Sequence, residues 1–332
     1  MRYCIVLICF LVAACGSPPI DYRGASAVGF ELPQRKPSSR PLIAVALGSG
    51  GPRGLTHLGV LKALEANGIV PDLIVGNSSG ALVGSIYASG MPLPDIESMA
   101  IDLQPTEILD FSYSDRGYIR GEALQNFINR LVKGKRLEQL PKEMAIVSTD
   151  VKTGTAVVFN RGDTGLAARA SSAIPGRFQP VTINGRDHLD GDLVSPVPMR
   201  VARELGADVV IGIDVSAYLE DTPTDKGFPV DWITTGTMRK TMVDHEARYA
   251  DVLIHPNIGY YAGWSDAYKK RCFAIGERET LAAMPKIRAA IDAAQKKMSV
   301  RSAFLEIFIC RSGDGGNPVP LREHPRSPAS RG

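Results

Sequence analysis

Three short stretches of the 332-residue chain carry residue types suited to nucleophilic chemistry. The first is Gly76-Asn77-Ser78-Ser79-Gly80, a Gly-x-Ser-x-Gly pentapeptide between an apolar run, 72–75, and a small-residue helical run, 81–89. A nucleophile elbow needs a strand, a sharp turn and a helix, with the serine at the apex. Such a serine sits in a backbone conformation costing roughly 1–3 kcal/mol, and side chains at 76 and 80 would crowd the turn. The pattern also fits an ordinary strand-to-helix turn with Ser78 as N-cap.

The second stretch is Gly48-Ser49-Gly50-Gly51-Pro52-Arg53-Gly54, lying between an apolar strand, 42–47, and an amphipathic helix carrying Leu55, Leu58, Val60, Leu61 and Leu64. Amides of a Gly-rich loop at a helix N-terminus hold anions, either a phosphate or the oxyanion of a tetrahedral intermediate. A dinucleotide site fits less well. The loop breaks the strict Gly-x-Gly-x-x-Gly register, and no acidic residue closes a second strand about twenty positions on. The third stretch is Asp190-Gly191-Asp192, delivered by a hairpin-like pair over 181–189 that turns at Asn184-Gly185. Gly191 is expected to lend the loop flexibility so that Asp190 can present its carboxylate, although a loop-capping aspartate would read the same way.

The elements that must position these residues alternate. Strand and turn signals at 145–152 and 155–159 precede a short helix at 168–175 ended by Pro175. A helix at 199–205, a strand at 208–214, a helix at 231–247, a strand at 252–255 and a closing helical region at 266–297 follow. Alternation of this kind implies an α/β domain over 41–300, with a mostly parallel sheet covered on both faces. Residues 301–332 are rich in Pro, Gly, Arg and Ser towards their end and read as a largely disordered C-terminal tail.

The chain opens with an apolar segment at 1–14 that reads as a signal peptide, too short to span a bilayer. Val12-Ala13-Ala14-Cys15 resembles the lipobox of bacterial lipoproteins, which implies lipidation of Cys15, with an ordinary small-residue cleavage site as the alternative. Gly16, where such lipoproteins sometimes carry Asp, implies an outer-membrane address on the periplasmic side of the cell envelope. Residues 15–40 then form a flexible tether rich in Pro, Ser, Gly and Arg. The formal net charge of +3 becomes +2 once Arg2 leaves with the signal, and no basic stripe points to nucleic acid. With Cys4, Cys9 and Cys15 accounted for, Cys272 and Cys310 are the remaining candidates for a disulfide. No cysteine-histidine spacing suggests a metal, and no cofactor is expected.

Residues 47–54, 76–80, 148–154, 170–175 and Asp190-Gly191, in that order, resemble the patatin-like phospholipase family. The resemblance implies a three-layer α/β/α fold and a lipid acyl hydrolase with a serine-aspartate dyad acting on a lipid ester. Position by position it implies Ser78 as nucleophile, Asp190 as its base, and the Gly50 and Gly51 amides with Arg53 as the oxyanion region. Gly48, Gly54, Gly76, Gly80 and Gly191 complete the motifs. Two departures stand out: Asp192 replaces the Gly or Ala usual after Asp-Gly, bringing a second carboxylate, and Pro52 has no N–H to donate. Two other readings remain open, a Ser-Asp-His triad hydrolase using His255 or His245, and an inactive lipid-anchored binding protein. His57 and His188 are expected in packing or loop roles.

The lipobox reading predicts that Cys15→Ser releases the protein from membranes, because stable attachment needs acyl anchors that the variant lacks. Membrane sedimentation together with mass spectrometry of the wild-type N-terminus checks this. A variant that still sediments, beside a wild type carrying no lipid, refutes it.

Overall fold

The computed structural model describes residues 20–24, 27–35, 38–112, 114–218, 230–259 and 262–312. The signal segment, Cys15 and the chain after 312 lie outside the described residues. A short strand β1 (Asp21–Tyr22) precedes the domain, which opens with β2 (Ile43–Leu47), α1 (Thr56–Ala66), β3 (Leu73–Gly76) and α2 (Ser79–Ala88). Helices α3 (Leu93–Asp102) and α4 (Glu122–Leu131) lead to β4 (Glu143–Asp150), β5 (Thr155–Phe159) and α5 (Thr164–Ser171). Then come β6 (Val181–Ile183), β7 (Arg186–Asp190), α6 (Met199–Glu204) and β8 (Val209–Ile213). Helix α7 (Val230–Glu246), β9 (Val252–Ile254) and α8 (Asp266–Ser312) end the described chain.

Strand β2 shows why the sheet is central. All five of its residues, Ile-Ala-Val-Ala-Leu, are buried, as expected of a strand covered on both faces. Alternate side chains enter different cores: Val45 and Leu47 pack with Leu58, Leu61, Leu64 and Ile74, while Ala44 and Ala46 pack with Val75, Met199, Val201 and Val210. The first core is roofed by α1, α2 and α8, and the second by α6 and α7, giving three layers, α/β/α. Sheet order is β1-β6-β7-β4-β3-β2-β8-β9, with β5 paired to β4. The run β4-β3-β2-β8-β9 is parallel throughout, whereas β7 and β5 pair with β4 antiparallel. The sheet is therefore mostly parallel, as the alternation implied.

The β6–β7 hairpin turns at Asn184 (φ 52) and Gly185 (φ 73), both left-handed, as a two-residue turn with the twist of its strands requires. Two elements differ from expectation. Helix α5 starts and stops earlier than 168–175, because the Asp163 carboxylate caps it by accepting from the Leu166 amide at 2.6 Å. Helix α8 runs on to Ser312, so 301–312 is helical where a tail was expected. The segment 301–312 contains neither Gly nor Pro, so nothing in its backbone chemistry stops the helix before Gly313. Cys272 is a free, buried cysteine. Among the described residues no helix is long and apolar enough to cross a membrane.

Helices α1 and α8 touch backbone to backbone. A Cβ built on Gly59 would lie 2.0 Å from the Phe273 carbonyl oxygen, and one on Gly276 would lie 2.2 Å from that of Thr56. Gly59→Ala is therefore expected to force the helices apart and to destabilise the fold by about 1–3 kcal/mol. Gly236→Ala on α7, where an added methyl meets nothing within 4 Å, should be neutral or stabilising by up to about 1 kcal/mol. Urea midpoints for both variants, at unchanged m-value, decide the matter.

Candidate active site

The elbow follows from close packing of backbone. Strand β3 ends at Gly76, and Ser78 takes φ 47 and ψ −124 before α2 begins. That conformation is strained for any residue with a Cβ and persists only where neighbours over-determine it. Here they do: the Ser78 amide donates to the Ser171 carbonyl (3.1 Å) and to the Ser171 hydroxyl (2.9 Å). Asn77 is held by its Nδ2 donating to the Ser195 carbonyl at 2.6 Å. Glycine is required on either side for space. A Cβ on Gly76 would lie 2.5 Å from the Gly80 carbonyl oxygen, and one on Gly80 would lie 2.0 Å from that of Leu47.

The turn delivers Ser78 to Asp190. Ser78 Oγ donates to Asp190 Oδ2 at 2.8 Å, and both residues are buried. Asp190 ends β7, where its amide donates to the Ala173 carbonyl (3.0 Å) and its own carbonyl accepts from Thr149 Oγ1 (2.7 Å). Its second oxygen, Oδ1, accepts the Asp192 amide at 2.9 Å. Gly191 is not a flexible joint as expected. Its Cβ would stand 2.4 Å from the Val147 carbonyl oxygen and 2.9 Å from Asn77 Cβ, so what it supplies is room for β7 to reach the elbow.

Burial pushes the Asp190 carboxyl up to about 7, and the Asp192 charge pushes the same way. The Asp192 amide, the Ser78 hydroxyl and Arg239 oppose the rise. Asp192 thus acts on Asp190 twice, its carboxylate against ionisation and its backbone N–H for it. The Asp192 carboxylate in turn accepts from the Ser49 hydroxyl and lies 3.1 Å from Arg239 Nη2.

The glycine loop packs against the elbow. A Cβ on Gly54 would lie 2.3 Å from that of Ser79, and one on Gly48 would lie 2.9 Å from the Ile213 carbonyl oxygen. The amides of Gly48 and Ser49 donate to the Ile213 and Pro196 carbonyls, both at 3.0 Å. The Arg53 amide closes the turn Gly51–Leu55 by donating to the Gly50 carbonyl at 3.2 Å. Its guanidinium lies near Tyr268 and Cys272. The amides of Gly50 and Gly51 donate to no protein group among the described residues. Gly51 is exposed, with φ +55.

Beside Gly51 and Ser79 lies a partly open apolar cavity of about 80 Å³, lined by Leu58, Val83, Ile86, Met99, Phe127 and Trp264. A larger, open concavity of about 330 Å³, lined in part by Arg136, Arg161 and Asn184, touches none of the residues just described.

The histidines sit elsewhere. His255 donates from Nδ1 to the Asp214 carbonyl at 3.0 Å, lies 3.2 Å from its carboxylate, and stacks on Tyr218 at 4.7 Å. His245 is exposed on α7 beside Arg248. His188 meets Phe159 edge-on at 5.4 Å. His57 does more than pack: it is fully buried, and its Nε2 donates to the Gly48 carbonyl at 2.8 Å. Burial depresses it to about 4, which keeps it a neutral donor at pH 7. Sequence reasoning also missed Ser171 as the holder of the Ser78 amide, although the segment 170–175 containing it was singled out. Ser49 and Thr149 lie within the motif stretches 48–54 and 148–154 without their side chains being assigned a role, and Arg239 lies outside every motif.

A strained serine at a strand-turn-helix junction, bonded to a buried aspartate in a three-layer α/β/α fold, has the geometry of a nucleophile elbow. Residues 45–203 match the patatin-like phospholipase family model, a match that supports a place in that family. It is similar to an uncharacterized NTE family protein of Mycobacterium tuberculosis, 38% identical over 54% of this chain and 50% of that one. It is also similar to a lysophospholipase of Debaryomyces hansenii, 30% identical over 57% of this chain and 13% of that one. The chain thus aligns with about half or less of the length of these relatives. Among solved structures, VipD from Legionella pneumophila shares the fold, with a TM-score of 0.55 and 15% identity over 75% of this chain and 67% of that one.

The raised Asp190 carboxyl yields two expectations. If the ionised form is the base, kcat/KM for ester cleavage rises with pH through about 7 and levels off above it. Because the folded state binds this proton more tightly than the unfolded chain, Asp190 lowers stability progressively as pH climbs from 3.8 to about 7. Asp190→Asn removes that cost and should raise Tm at pH 8 relative to the wild type. A pH-rate profile and calorimetry of the two proteins check both statements.

Proposed function

We propose that this protein is a serine acyl hydrolase of lipid esters, of the phospholipase A or lysophospholipase type, with Ser78 as nucleophile and Asp190 as its direct base. The observation that carries this reading is the 2.8 Å hydrogen bond from Ser78 Oγ to Asp190 Oδ2, with no imidazole of the described residues between them. As Oγ attacks the ester carbonyl carbon, Asp190 Oδ2 takes its proton. The carbonyl π pair moves onto oxygen, and the open Gly50 and Gly51 amides receive the oxyanion. Collapse of the intermediate expels the alcohol, which leaves with the proton from Asp190, and an acyl-Ser78 ester remains. Asp190 then deprotonates a water that attacks this ester, and the fatty acid departs as Oγ regains its proton.

The apolar cavity beside Gly51 and Ser79, next in sequence to Ser78, supports an apolar acyl group on the substrate. One narrow cavity suits one chain, and a lysophospholipase among the relatives accords with that. In this proposal a lipidated Cys15 and its tether keep the domain at the periplasmic face of an outer membrane, so that substrate arrives by lateral diffusion.

The test is labelling with a fluorophosphonate ester followed by peptide mass spectrometry. Ser78 should carry the phosphonate, and Asp190→Asn should stay folded while losing at least about a thousandfold in kcat. His255→Gln and His245→Gln should keep most of the activity. A folded protein labelled elsewhere, or a His255→Gln as inactive as Asp190→Asn, would overturn the assignment.

A further inference from the structure

We infer that Arg239 on α7, paired with Asp192, is a positioning residue for ester cleavage: it fixes the Ser49–Gly50 peptide so that the Gly50 amide faces Ser78, and its charge offsets that of Asp192 beside Asp190. The inference rests on the reading of Ser78, Asp190 and the loop amides given above. The guanidinium is largely buried, at 14% exposure. Its Nη2 donates to the Ser49 carbonyl at 2.6 Å and to the Ser49 hydroxyl, and lies 3.1 Å from Asp192 Oδ1. Ser49 Oγ donates to the same Asp192 oxygen, which closes a triangle between the glycine loop, the turn after β7 and α7.

The geometry has a direct consequence for the loop. In a trans peptide the C=O of one residue and the N–H of the next point in opposite directions. A guanidinium holding the Ser49 carbonyl therefore turns the Gly50 N–H to the other side of the loop. The preceding peptide is fixed independently, by His57 on the Gly48 carbonyl and by the Ser49 amide on Pro196. Without Arg239 the Ser49–Gly50 plane loses its holder, and glycine at 50 offers little resistance to rotation.

Electrostatically, Asp190 faces Asp192 from its own turn, the Ser78 hydroxyl from the turn before α2 and Arg239 from α7. Arg239 also faces Asp214, the carboxylate after β8 that Ser216, Tyr218 and His255 surround. An aspartate at 192 would by itself oppose ionisation of the base, and the arginine countering it comes from an element far away in sequence.

The test uses the purified full-length chain with p-nitrophenyl butyrate and lysophosphatidylcholine, comparing Arg239→Gln, Arg239→Lys, Asp192→Asn and the double variant Asp192→Asn/Arg239→Gln, each checked for folding by circular dichroism. Arg239→Gln should lose roughly 10- to 100-fold in kcat with KM little changed, since a misaimed oxyanion donor acts on the transition state. The acid limb of its pH profile should move to higher pH, and that of Asp192→Asn to lower pH. In the double variant the limb should return towards the wild-type position while kcat stays low, which separates charge from aim. Arg239→Lys should keep the wild-type limb yet recover only part of kcat, because an ammonium lacks the planar fork. Should Arg239→Gln fail to fold, a folded Arg239→Lys with full kcat overturns the inference. An active wild type beside a folded Arg239→Gln with unchanged kcat, or with an unmoved limb, overturns it alone. An inert wild type with unlabelled Ser78 overturns the reading of the site and this inference with it.

Discussion

The structure depends on bringing one hydroxyl and one carboxylate together out of water. An ionised carboxylate buried without donors costs several kcal/mol, and a serine hydroxyl alone is a modest partner. Asp190 is therefore surrounded by provisions: the Asp192 amide on one oxygen, Ser78 on the other, and its backbone locked to Ala173 and Thr149. Its parent strand approaches the elbow closely enough that only glycine fits at 191. The same economy of space recurs at Gly76 and Gly80, where backbone atoms of β2, β3 and α2 nearly touch. The site is an outcome of how near three backbone segments can come, and the sheet and its two helical layers hold them there.

Much of this was legible in the sequence, and for definite reasons. Short-range features reported themselves: the elbow, because glycines two residues either side of a serine have few other uses, and the hairpin turn, because Asn184-Gly185 is suited to two left-handed residues. Alternation of apolar strands and amphipathic helices gave a largely parallel, doubly covered sheet, and the alternating burial of β2 is its atomic form. What could not be read was every interaction joining distant segments. Arg239 lies on a helix whose sequence contains no hint that it reaches Ser49, 190 residues away. His57 looked like a packing residue because burial was inferable from α1 while its bond to the Gly48 carbonyl was not. Gly191 reads as a flexible joint from the sequence, since spacing cannot distinguish a glycine needed for freedom from one needed for lack of bulk. The end of α8 is hidden in the sequence by the Pro- and Gly-rich composition that follows 312, although 301–312 itself holds neither residue.

Asp192 shows how a departure from a family pattern can be accommodated. A second carboxylate beside a base is unfavourable in isolation, yet here its side chain is committed to Ser49 and Arg239 while its amide supports Asp190. The substitution of a charged residue for a small one has been absorbed by a polar triangle that also ties α7 to the glycine loop. The helix following 219–229 is thereby coupled to the geometry at Ser78.

For the proposed lipid hydrolase, a carboxyl group half-ionised near neutrality would respond to the electrical character of a lipid surface. Anionic lipid headgroups set up a negative potential of about 30 mV, and protons concentrate there until the interfacial pH is about half a unit below that of the bulk. With Asp190 poised at about 7, that difference falls on the steep part of its titration. The fraction of molecules with an ionised Asp190 would thus be smaller on an acidic leaflet than on a zwitterionic one at the same bulk pH, so that lipid composition could govern turnover without touching the binding cavity.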